Sequence, residues 1–161
     1  MLTTAQASAL NTFISTDSAF TALLTPSNEN AFSIAEILKT QASPDFIVWR
    51  SSIPPSEYVL AITWTEIDAL AVGKARIWEW ITARHTAPIN ASLANVRQGV
   101  SDAFAGAGAA ATRNALVALA KRKANVLEKL LATGTGSDAS PATMGYEGFL
   151  SYQEISNVMG W

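Results

Sequence analysis

Between Thr63 and Ile81, apolar residues return at three- and four-residue steps: Ile67, Leu70, Ala71, Ile77, Trp78 and Ile81. That rhythm puts them on one side of a 3.6-residue helix and rules out the strict alternation of a half-buried strand. Thr63 and Glu66 have the S/T-x-x-E spacing of a capping box, so the helix is expected to start at Trp64. Its apolar stripe has to be covered by other helices, and Trp78 is expected in that core. Two residues depart from the pattern. Lys74 falls near the middle of the stripe, and Trp80 projects to the opposite side.

The same period recurs along the chain. Residues 4–24 read as a helix or a broken pair, with Thr16-Asp17-Ser18 stopping one helix and capping the next. Thr25-Pro26-Ser27-Asn28-Glu29-Asn30 is a turn by composition, and a short helix at about 31–40 follows, capped by Asn28 or Asn30. Leu93, Val96, Val100 and Phe104 mark a helix of about 91–105, with Asn90 as its cap. Leu116, Leu119, Val126, Leu127 and Leu130 mark a long one from about Ala109 to Ala132, ended by Gly134. Lys123 lies on that stripe much as Lys74 does on its own. Either each lysine lays its stem along apolar surface with the ammonium in water, or it meets a carboxylate on a neighbouring copy. Ser151-Tyr152-Gln153-Glu154 again has capping-box spacing, for a last short helix.

Only Phe46-Ile47-Val48-Trp49-Arg50 reads as β-like, and a lone strand leaves its backbone groups unpaired. It therefore pairs with another chain or lies extended over the helices. The expected fold is mainly α: one domain over residues 1–161, a helical bundle of about five to six helices with one short extended or β-like segment near 46–50. A flexible loop at 133–143 leads to a C-terminal segment, 144–161. That connection is long enough to span roughly 15–20 Å, so the segment is expected to dock partly on another chain.

Charge narrows the function. Charged residues make up only 15% of the 161, against about 25% in typical soluble domains. A thinly charged surface suits either a chain covered by neighbours or an Ala-rich helical monomer. Residues 1–60 carry −3, residues 61–133 carry +4 and residues 134–161 carry −3. Acidic ends around a basic middle suit head-to-tail contact between copies, an acidic partner, or neutralisation within the chain.

Chemistry has few residues to work with. There is no cysteine and one histidine, which excludes disulfides, thiolate chemistry and a multi-histidine metal site within one chain. His85 is expected to favour the C-terminus of the preceding helix. No serine sits in a nucleophile-elbow motif, and the glycine-rich run 133–141 lacks the strand and lysine of a phosphate loop. No enzymatic activity and no cofactor is therefore expected. The N-terminus lacks the features of a signal peptide, and no run of about 18 apolar residues suggests a membrane span. Candidate partner contacts are Trp80, Trp161, Tyr146, Phe149 and Tyr152, as exposed or terminal aromatics, and the basic pair Lys121 and Arg122. Arg113, Lys121, Arg122, Lys123 and Lys129 are expected on one helix, facing DNA or an acidic ring.

The stretches Phe46-Ile47-Val48-Trp49-Arg50-Ser51-Ser52-Ile53-Pro54 and Val72-Gly73-Lys74-Ala75-Arg76-Ile77-Trp78-Glu79-Trp80 resemble a family of small structural proteins of tailed bacteriophages. So do Leu131-Ala132-Thr133-Gly134-Thr135-Gly136-Ser137-Asp138-Ala139, Tyr146-Glu147-Gly148 and Leu150-Ser151-Tyr152-Gln153, which carries the likeness from Ala31 to Gln153. The resemblance implies a virion component at the head–tail junction, assembled in the host cytoplasm. It would be a head–tail adaptor, mostly helical, forming a ring of twelve beneath the portal. Its partners would be copies of itself, the portal protein, tail or neck proteins and, loosely, packaged DNA. The alternative is another virion part: a head-completion, tail-terminator or capsid-decorating protein.

Overall fold

The computed structural model describes residues 1–161. The chain is mainly helical, as expected, but it has nine α-helices and two 3₁₀ helices rather than five or six, with four very short strands. Part of the excess arises because two stretches expected as continuous helices are broken; a short helix at Pro55–Ala61 and the 3₁₀ turns supply the rest. The expected single domain divides into two compact units. One joins Met1–Val48 to Lys123–Trp161, and the other is the continuous segment Trp49–Arg122.

The first unit contains α1 (Thr4–Thr16), a 3₁₀ turn (Ser18–Leu23) and α2 (Asn28–Lys39). Thr3 and Gln6 form a capping box on α1, and Asp17 stops that helix while its carboxylate accepts from Ala19 N at 2.9 Å. The cap of α2 is Ser27, not Asn28 or Asn30; its hydroxyl accepts from Asn30 N at 3.1 Å. Later in the chain come α8 (Val126–Leu131) and α9 (Tyr152–Met159). Leu10, Ile14, Phe20, Ile34, Leu38, Leu127, Leu150 and Ile155 form their common core. The expected box on α9, Ser151 with Glu154, is formed. A third box begins α8, where Asn125 and the buried Glu128 exchange backbone bonds and Glu128 also accepts from Gly148 N at 3.3 Å.

The C-terminal segment therefore closes its own unit. Leu150 and Ile155 are buried in this core, and Tyr146 and Trp161 pack against it. The loop expected to be flexible is also tied down. Strands β3 (Ala132–Thr133) and β4 (Thr143–Met144) pair antiparallel across it. Gly136 O accepts from Ile47 N at 2.7 Å, and Ala142 N donates to Ile47 O at 2.9 Å. Gly136 has φ +66°, and a Cβ there would stand 2.2 Å from the Phe46 ring, so only glycine fits. The β-like run is strand β1 (Ile47–Trp49), and it pairs within its own chain, with β2 (Lys121–Lys123).

The second unit holds α3 (Pro55–Ala61), α4 (Trp64–Asp68), α5 (Val72–Thr82), α6 (Ala94–Ala103), a 3₁₀ turn (Ala107–Ala109) and α7 (Ala110–Leu119). Trp78 is its central side chain, 1% exposed, with Tyr58 and Phe104 edge-on at centroid distances of 5.8 and 5.1 Å. Gly99 lets α6 lie close to α5, since a Cβ there would come within 2.8 Å of Ile81 Cδ1. The expected helix 64–83 is split between α4 and α5, and Thr63 and Glu66 make no capping box. The Glu66 carboxylate instead accepts from Ala111 N and Thr112 N at 3.3 and 2.8 Å, while Thr63 N donates to the Thr112 hydroxyl at 3.0 Å. Helix α7 has no capping side chain of its own, because its N-cap is Ala109. Glu66 supplies that cap from a distant part of the chain.

Lys74 and Lys123 both find partners within their own units. Lys74 Nζ donates to Ala105 O at 2.8 Å, just past the end of α6, where a cation is favoured by the helix dipole. Lys123 pairs with Asp45 at 2.7 Å. Asn90 forms a local turn with Ser92 and does not cap α6, which begins after Leu93 without a side-chain cap. No helix is long and apolar enough to cross a membrane.

Candidate interaction surface

Helix α5 buries Trp78 and Thr82 and turns its other side outward. Arg76 and Trp80, one turn apart, lie on that outward side, and Trp80 is 81% exposed, as its sequence position predicts. The end of the helix decides what stands beside Trp80. Ala83 N donates to Trp80 O and Arg84 N to Glu79 O, the two bonds of a Schellman closure. Its first residue past the helix is usually glycine, because it must be left-handed. Here Ala83, Arg84 and His85 all take that conformation, with φ of 43°, 58° and 66°. Left-handed backbone in non-glycine residues is unfavourable and persists only where the surroundings hold it.

Thr82 is the clamp. It is fully buried, its hydroxyl donates to Trp78 O at 2.9 Å and accepts from His85 N at 3.2 Å, and its carbonyl accepts from Thr86 N and Ala87 N. His85 is thereby held against the Trp78 and Tyr58 rings, 5.8 and 6.2 Å away. It lies three residues beyond the end of α5, packed against those two rings.

The turn keeps Arg84 on the same side as Trp80. Arg76, Glu79, Trp80, Ala83 and Arg84 together form one open, solvent-facing patch. Neither the Arg76 nor the Arg84 guanidinium has a hydrogen-bonding or ion-pairing partner in the chain. Two unpaired arginines flanking an exposed tryptophan combine the residue types most enriched at interface hot spots. The spacing Arg76–Trp80–Arg84 was visible in the sequence; the left-handed alanine that makes it a surface was not.

The other residues expected to contact partners are distributed differently. Lys121 and Arg122 lie on strand β2, half-buried. The expected basic helix does not exist: Arg113 is on α7, Lys123 ends β2 and Lys129 is on α8 in the other unit. Arg113 donates to Phe104 O at 3.1 Å, and the Lys129 ammonium sits 5.9 Å from the Phe46 ring centroid. Tyr146 and Trp161 are engaged by their own core, whereas Phe149 and Tyr152 keep exposed rings. No group of three or more His, Asp or Glu side chains converges as metal ligands would.

Charge separates along the structural division. Residues 49–122 hold five acids and eight bases, a balance of +3, and the rest of the chain holds eight acids and three bases, −5. The basic unit is also the one exposing Trp80, together with Leu60, Trp64 and Val72. No known protein-family profile, curated protein or solved structure matches the chain.

Proposed function

We propose that the chain is a structural protein of a tailed bacteriophage, a head–tail adaptor subunit that repeats in a ring in the neck between portal and tail. The observation that carries this reading is the basic unit's exposed tryptophan between two unpaired arginines, in a chain whose other unit is strongly acidic. A subunit that repeats head to tail needs two different, complementary surfaces, and contacts of that kind close into rings. The resemblance of residues 31–153 to phage structural proteins supplies the particle.

Imaging and quantitative mass spectrometry of the phage particle that carries the protein test this reading. About a dozen copies located at the head–tail junction is the expected result. Hundreds of copies spread over the capsid would make it a decoration, and a particle without it would refute the proposal.

A further inference from the structure

We propose that the ridge Arg76–Trp80–Arg84 of one copy docks on the ridge Glu29–Phe32–Glu36 of a second copy. This rests on the self-assembly half of the preceding reading and not on the identity of the particle. The acceptor ridge belongs to α2. Its residues fall at i, i+3 and i+7, which aligns them on one helix face, and all three are exposed, Phe32 at 55%. An aromatic side chain at that exposure, on a helix whose core face is already formed by Ala31, Ile34, Ala35 and Leu38, presents apolar surface to solvent. At 1.5 Å per residue the two carboxylates are about 10 Å apart along the axis. Arg76 and Arg84 are eight residues apart, the last two of them in the left-handed turn, and both flank Trp80 on the same side.

The patterns are complementary: base–aromatic–base faces acid–aromatic–acid. The minor charges also match, Glu79 beside the arginines and Lys39 beside Glu36. Lys39 already pairs with Glu36, but an exposed pair one helical turn apart is weak and easily exchanged. Docking would cover the two most exposed aromatics of their respective helices and give both arginines carboxylate partners. Because donor and acceptor ridges are different surfaces, each copy offers one of each, and the contact is heterologous.

Sedimentation velocity of the full-length protein over a range of concentration and salt tests this. Wild type should associate with concentration and dissociate as salt rises. Arg76→Glu with Arg84→Glu, and separately Glu29→Arg with Glu36→Arg, should each weaken association about 10- to 100-fold. Circular dichroism should remain that of the parent, since every substituted side chain is exposed. Mixing the two charge-reversed proteins should restore association, because each then presents what the other needs. Trp80→Ala should weaken it to a similar degree. A wild type that stays monomeric, reversals that associate like the parent, or a mixture that fails to recover would each overturn the contact. Absence of the protein from a phage neck would sink the preceding reading and leave this contact standing. A chain present in the neck but indifferent to these reversals would sink the contact alone.

Discussion

Two tryptophans two residues apart have opposite fates, and helical geometry explains it. Two residues turn a helix by about 200°, so once Trp78 is buried Trp80 must face outward. Trp78→Ala empties a site bounded by Tyr58 and Phe104 and should cost about 3–5 kcal/mol. Chemical denaturation followed by circular dichroism measures it; a variant as stable as the parent would mean that the core lies elsewhere. Ala83 offers the opposite test. Its φ of 43° is costly for alanine and free for glycine. Ala83→Gly should therefore raise stability by up to about 1 kcal/mol, read as a higher melting temperature. A drop in melting temperature would show that the turn is not held left-handed.

At the level of elements, helix ends mark the difference between local and distant instructions. The Ser151–Glu154 box is local and formed as its spacing predicts. Thr63 and Glu66 have equivalent spacing, yet Glu66 caps α7, because that helix begins at Ala109 with no side chain to satisfy its free N–H groups. Hydrogen bonds from Thr112, then from Ala111, with the nearby Arg113 charge, hold the Glu66 carboxyl below its ordinary 4.5. A depressed carboxyl pKa stabilises the fold above the unfolded-state value, and that contribution is lost as pH falls through the folded value. Glu66→Gln should thus lower the melting temperature at neutral pH. The gap from wild type should close on acidification below about pH 4.5. An equal gap at pH 3 and pH 7 would show that the carboxylate charge plays no part in the cap.

For the molecule as a whole, the informative feature is that the core around Trp78 is supplied entirely by residues 49–122. That continuous segment, expressed alone, should fold into a helical unit with Trp78 shielded, seen by circular dichroism and by blue-shifted tryptophan emission. A random-coil spectrum would show that it depends on the rest of the chain. The helical class, the burial of Trp78, the exposure of Trp80 and the caps at Asp17 and Ser151 could all be read from the sequence. They follow from a period of 3.6 residues and from side chains that reach only three or four positions along the chain. The acidic ends and basic middle were legible too, since charge is counted directly. The break at Ala120–Lys123, the splitting of 64–83 and the pairing of β1 with β2 were decided only in three dimensions. In each case a backbone or side-chain group found a better partner far away in sequence than the local helix offered: Arg50 N bonds to Ala120 O, Ala124 N to Phe46 O, and Glu66 to Thr112 N. The left-handed turn at Ala83 belongs with these, because alanine carries no preference for that conformation and buried Thr82 imposes it by taking up the N–H groups of the turn.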